Sequence, residues 1–114
     1  MAQTEGTNKK MVANNMEPHF LTHPGEVIKG ELEFRGISQR RLASEIGIPV
    51  SQLNEVLNAK RSLNAEMALL IEQALGIEAE PLLSLQVKYN ILSAKRNKSF
   101  FERLKKIPRI AAAL

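Results

Sequence analysis

"GISQRRLASEIGIPVSQLNEVLNAKR", residues 36–61, is the stretch on which the fold turns. Two apolar sets, Leu42/Ala43/Ile46 and Leu53/Val56/Leu57, each recur at helical spacing. Gly47-Ile48-Pro49 separates them. A glycine there supplies the left-handed residue that stops a helix, and a proline pre-sets φ for the start of the next. Ser38 is a good N-cap for the first helix of the pair. Two short helices joined by a Gly-led turn form a helix-turn-helix, in which the second helix crosses the first and its N-terminal turn protrudes. A major groove ~12 Å wide admits such a tip, whereas one continuous helix could not present it.

That geometry assigns candidate DNA contacts. Gln39 and Arg40 open the first helix, where a phosphate would meet free N–H groups. Val50, Ser51 and Gln52 occupy the tip of the second. Glutamine can pair with adenine through two hydrogen bonds, serine with several bases, and valine can pack on a thymine methyl. Asn54 and Glu55 lie one turn deeper, and Glu55 could accept from a cytosine amino group. Asn58, Lys60 and Arg61 follow the reading helix and fit the DNA backbone. The pattern alone leaves a second reading open, because paired amphipathic helices with a Gly turn also occur in proteins that bind no DNA.

Working outward, "THPGEVIKGELEF" predicts a helix with Pro24 at its first position, Glu26 complementing the dipole, Val27, Ile28 and Leu32 inward, and Gly36 at its end. Asn64 caps a helix that buries Met67, Ala68, Ile71 and Leu75 and closes at Gly76. Pro81 opens another, largely apolar at Leu82, Leu83, Leu85, Tyr89 and Leu92. No strand pattern competes. The expected fold is all-α, five helices within a domain at residues 18–95. A flexible polar lead (1–17) precedes it and a basic amphipathic tail (96–114) follows.

The chain has 114 residues and a net charge of +4. Residues 1–88 carry nine Lys/Arg against eleven Glu, and residues 89–114 carry seven Lys/Arg against Glu102 alone. The basicity belongs to the tail, so DNA contact must come from local patches rather than from overall charge. The tail places Phe100, Leu104 and Ile107 on one helical face, which suits docking on protein better than a membrane. No run approaches the ~18 apolar residues of a membrane helix. A cytoplasmic location is expected, and the lack of cysteine fits it.

"SQRRLASEIGIPVSQLNEVLNAKRSL" resembles the lambda-repressor-like (XRE/Cro) helix-turn-helix superfamily, with its Gln at the start of the first motif helix, the Leu-Ala pair and the Gly turn. More narrowly, "HPGE" (23–26), "LNEVLNAKR" (53–61) and "LLSLQVKY" (82–89) are similar to HigA-type antitoxins of bacterial toxin–antitoxin modules. Two departures stand out. Ala59 occupies a position where the family usually has glycine, which moves the expected left-handed residue to Asn58. Leu82-Leu83 stand where an aromatic pair is common. The resemblance implies an antitoxin that neutralises a HigB/RelE-like mRNA endoribonuclease and represses its own operon, as a homodimer on an inverted repeat of double-stranded DNA. By position it assigns DNA contact to Gln39, Val50, Ser51, Gln52, Glu55, Asn58 and Lys60. A stand-alone XRE-type regulator and a protein-interaction module with a structural helix-turn-helix are the competing readings.

No cofactor, metal or catalytic role is expected. The chain has no Asp and no Cys. His19 and His23 flank prolines and do not share a helix face, and two histidines without further ligands are incomplete for zinc. His23, just before Pro24, fits a helix cap.

Overall fold

The computed structural model describes residues 22–111. Among them are six helices and no strand: α1 (Pro24–Arg35), α2 (Gln39–Ile46), α3 (Val50–Leu57), α4 (Ala65–Leu75), α5 (Ala79–Arg96) and α6 (Lys98–Lys105). The first five correspond to the five expected helices. The sixth lies in the basic tail, where Asn97 alone separates it from α5 and caps it by accepting from the Phe100 amide at 3.0 Å. The lead at 1–17 falls outside the described residues.

Local chemistry explains most helix ends. The Ser38 hydroxyl accepts from the Arg41 amide, and Asn64 Oδ1 from the Met67 amide, so each cap satisfies one otherwise orphaned donor. α1, α2 and α4 stop at Gly36, Gly47 and Gly76, all with positive φ. After Gly47 the Ile48 amide returns to the Ala43 carbonyl at 3.1 Å, which tucks Ile48 against the core before Pro49 redirects the chain. The turn is thus a Schellman stop followed by a proline start.

α3 ends differently from the expectation. Asn58 has φ −103 and is not left-handed, whereas Ala59 has φ 62. The Ala59 amide bonds the Val56 carbonyl at 3.1 Å and the Lys60 amide bonds the Glu55 carbonyl at 2.8 Å. These are the two bonds of a Schellman motif, whose register places the left-handed residue at 59 whatever side chain is there. An alanine in that conformation costs about 1 kcal/mol relative to glycine. Ala59→Gly is therefore expected to raise stability by about 1 kcal/mol in urea or thermal unfolding, and an unchanged or lowered midpoint would contradict the strain.

The core gathers Ile28 and Leu32 of α1, Leu42, Ala43 and Ile46 of α2, Leu53, Val56 and Leu57 of α3, and Met67, Ala68, Ile71 and Leu75 of α4, closed by Leu63, Ala79 and Leu82. Val27, expected inward, is exposed, because only one side of α1 faces this core. α5 begins two residues before Pro81, with Glu72 accepting from the Ala79 amide at 3.3 Å. Of the five residues that make it largely apolar, Leu82 is fully buried, whereas Leu83, Leu85, Tyr89 and Leu92 are half-buried. Beyond its first turns α5 leaves the core, and α6 packs chiefly on α5.

Candidate nucleic-acid interface

The α2–α3 pair sets α3 with its N-terminal turn outward. Pro49 precedes it and has no side-chain hydrogen bond to offer, so no cap covers that end. Val50 and Ser51 are exposed and Gln52 is half-buried, while Leu53 immediately behind them is fully buried. The tip is therefore anchored by its own fourth residue and presents three side chains of different hydrogen-bonding character. At the start of α2 the Ser38 hydroxyl takes the Arg41 amide. Among the described residues no side-chain cap bond to the amides of Gln39 and Arg40 is found, which suits an anion.

Deeper residues are held by one another. Asn54 donates to Gln39 Oε1 at 3.0 Å, a bond across fifteen residues of sequence that locks the start of α2 to the middle of α3. Glu55 pairs with Arg61 at 2.8 Å. With both partners about half exposed, that pair contributes little stability but fixes the direction of each charge. Asn58 accepts from Lys29 Nζ at 3.2 Å and donates to the Asn54 carbonyl at 3.0 Å. Arg40 and Lys60 are exposed, with no ion pair among the described residues. Sequence reading had no signal for the Gln39–Asn54 clamp or for Lys29, which reaches this surface from α1.

The reading helix is itself held from behind, at a junction of α1, α5 and the loop after α3. His23 is buried; its Nδ1 accepts from the Gly25 amide at 2.9 Å, its ring stands edge-on to Tyr89 at 4.8 Å, and it hydrogen-bonds the Arg61 backbone. With Nδ1 accepting, the donor toward the Arg61 carbonyl is Nε2–H. Burial lowers the His23 pKa below its ordinary 6.5, against smaller raising effects from Glu26 and that backbone bond. Gln86, also buried, accepts from the Leu63 amide at 2.8 Å and donates to Asn90 at 2.9 Å. Gly25 lies against the backbone of α3 itself, where an added Cβ would run into the Val56 carbonyl oxygen.

The groups gathered here suit binding rather than bond-breaking chemistry: a polar tip, flanking cations and a rigid support. No cluster of three metal-ligating side chains exists among the described residues, and no helix among them is long and apolar enough to cross a membrane. His19 lies outside the described residues.

A helix-turn-helix family model matches residues 31–82. The chain is 31% identical over 77 residues to virulence-associated protein I of Dichelobacter nodosus, covering 67% of this chain and 71% of that protein. It is 33% identical to the solved structure of an addiction module antidote protein of a HigA family from Coxiella burnetii, with TM-score 0.68, over 79% of this chain and 98% of that one. Pseudomonas aeruginosa antitoxin HigA, solved with the higBA promoter, has TM-score 0.70 at 22% identity over 81% of this chain and all of that one, a likeness of fold alone.

Proposed function

The chain belongs to the HigA-like antitoxins of the XRE helix-turn-helix superfamily, and from that premise we propose that it neutralises a RelE-like endoribonuclease toxin and represses its own operon. The observation that carries the DNA half is the uncapped, exposed tip of α3 on a buried anchor. Val50, Ser51 and Gln52 meet base edges. Gln39 and Arg40 receive a phosphate at the start of α2, and Lys60 and Arg61 neutralise backbone beyond the other end of α3. Asn54 positions Gln39, and Asn58 and Glu55 orient Lys29 and Arg61 toward the same surface. A single short helix reads too few bases for useful specificity. The operator is accordingly an inverted repeat read by a homodimer, with half-sites ~34 Å or a multiple apart.

Co-expression with the product of the adjacent gene tests the antitoxin half. Rescue of growth and co-purification of the two chains are expected. A neighbour that is harmless alone, beside a chain that still binds its upstream DNA, would leave a stand-alone regulator. Toxin binding without any DNA binding would leave a protein-interaction module whose helix-turn-helix is structural.

A further inference from the structure

α4 departs from the usual pattern of a surface helix, which is apolar on one face and polar on the other. Met67, Ala68, Ile71 and Leu75 fill the core, yet the exposed side carries Ala65, Leu69, Leu70 and Ala74, broken only by Glu66 and Gln73. Leu69 is 57% exposed and Leu70 39%. A helix that is apolar all round is ordinarily covered on every side. The charges around this side all have one sign. Residues 62–87 contain Glu66, Glu72, Glu78 and Glu80 and no Lys or Arg. Glu72 accepts from the Ala79 amide, whereas Glu66, Glu78 and Glu80 are exposed and make no ion pair among the described residues. A cleft of about 270 Å³ lies where α4 meets the start of α5, lined by Leu69, Glu72, Glu78, Ala79 and Glu80.

We propose that this side of α4, with the turn into α5, is where the chain holds its toxin, through Leu69 and Leu70 at the centre and Glu66, Glu78 and Glu80 at the rim. The assignment rests on the antitoxin reading above and names the surface that serves it. Charge selects the occupant. An endoribonuclease must hold the polyanion it cuts, so its surface is cationic. Acidic groups around an apolar centre match such a surface. Duplex DNA and an anionic membrane carry the wrong sign. So does a second copy docked on the same face, because a two-fold pairing sets these glutamates against their own kind. None of the residues belongs to α2 or α3, and α4 packs chiefly on α2 and α5. The toxin is thus held on a helix separate from the reading tip.

The test uses the purified product of the adjacent gene. Leu69→Lys is expected to weaken its binding by tenfold or more and to abolish rescue of growth, with the melting temperature and the affinity for operator DNA unchanged. Glu78→Lys combined with Glu80→Lys is expected to do the same, and the wild-type affinity for the gene product is expected to fall as salt rises. Phe34→Lys, at an 88% exposed position on α1, is expected to leave binding and rescue intact. A wild type that binds and rescues, while Leu69→Lys and the double variant do so equally well, would overturn the α4 surface and leave the antitoxin reading standing. So would a lowered mass of the free Leu69→Lys chain by light scattering, which would give this face to a second copy. A wild type that neither binds the gene product nor rescues growth would overturn both.

Discussion

Gly25→Ala is expected to destabilise the fold by about 3 kcal/mol or more, whereas Gly30→Ala, on the same helix, is expected to stabilise it by about 0.8 kcal/mol. Both replacements add one methyl group and reduce the entropy of the unfolded chain. They differ in what the methyl meets. At Gly30 there is nothing within 4 Å, so the helical preference of alanine acts alone. At Gly25 the methyl would collide with the Val56 carbonyl oxygen and lie 2.9 Å from Leu57 Cα, all backbone of α3. Backbone cannot rotate away as a side chain can. Either α1 lifts from α3 or α3 shifts, and the Ala59 turn behind it shifts too. Paired unfolding curves check this; equal midpoints for the two variants would show that α1 does not approach α3 so closely.

His23→Ala is expected to cost about 3 kcal/mol. It removes a helix cap, takes away the ring's bond to the Arg61 backbone and deletes the edge contact with Tyr89. For a domain of this size that lowers the melting temperature by roughly 15 °C. His23→Asn is expected to recover about 1 kcal/mol, because asparagine can cap the helix but cannot reach the other two partners. The same residue gives a pH signature. Its pKa is lowered in the folded chain, so below about 6.5 the unfolded chain binds a proton that the native ring excludes. Stability from this source is complete above pH 6.5 and is lost as pH falls through the lowered value. Between pH 7 and 5 the wild type is expected to lose stability more steeply than His23→Asn; parallel slopes would contradict a buried neutral imidazole.

What was legible in the sequence was whatever is decided within a few residues. Ser38, Gly47, Pro49, Asn64 and Gly76 each act on their own turn, so α2, α3 and α4 could be bounded and their buried faces named. Ala59 shows where that ends. Residue preference pointed to Asn58 as the left-handed position, but the Schellman register selects the residue after it, and Asn58 is held by Lys29 and the Asn54 carbonyl instead. The candidate site divided in the same way. Its tip could be placed from the turn, while the clamp between Gln39 and Asn54 needs two helices already crossed. "HPGE" and "LLSLQVKY" carried the family resemblance without a reason. The structure supplies one: His23, Gly25, Gln86 and Tyr89 meet behind α3 and hold the reading helix and the loop after it.

The decisive measurement is a titration of the 114-residue chain, and of its Ser51→Ala and Gln52→Ala variants, against duplex from upstream of its own operon and against a scrambled duplex. The wild type is expected to prefer the upstream duplex by ~10³ or more, with affinity falling steeply as salt rises. Each variant is expected to lose roughly 1–3 kcal/mol on the upstream duplex, with little change on the scrambled one and an unchanged melting temperature. Equal affinity of the wild type for the two duplexes, or variants that bind as tightly as it does, would contradict DNA reading by the tip of α3.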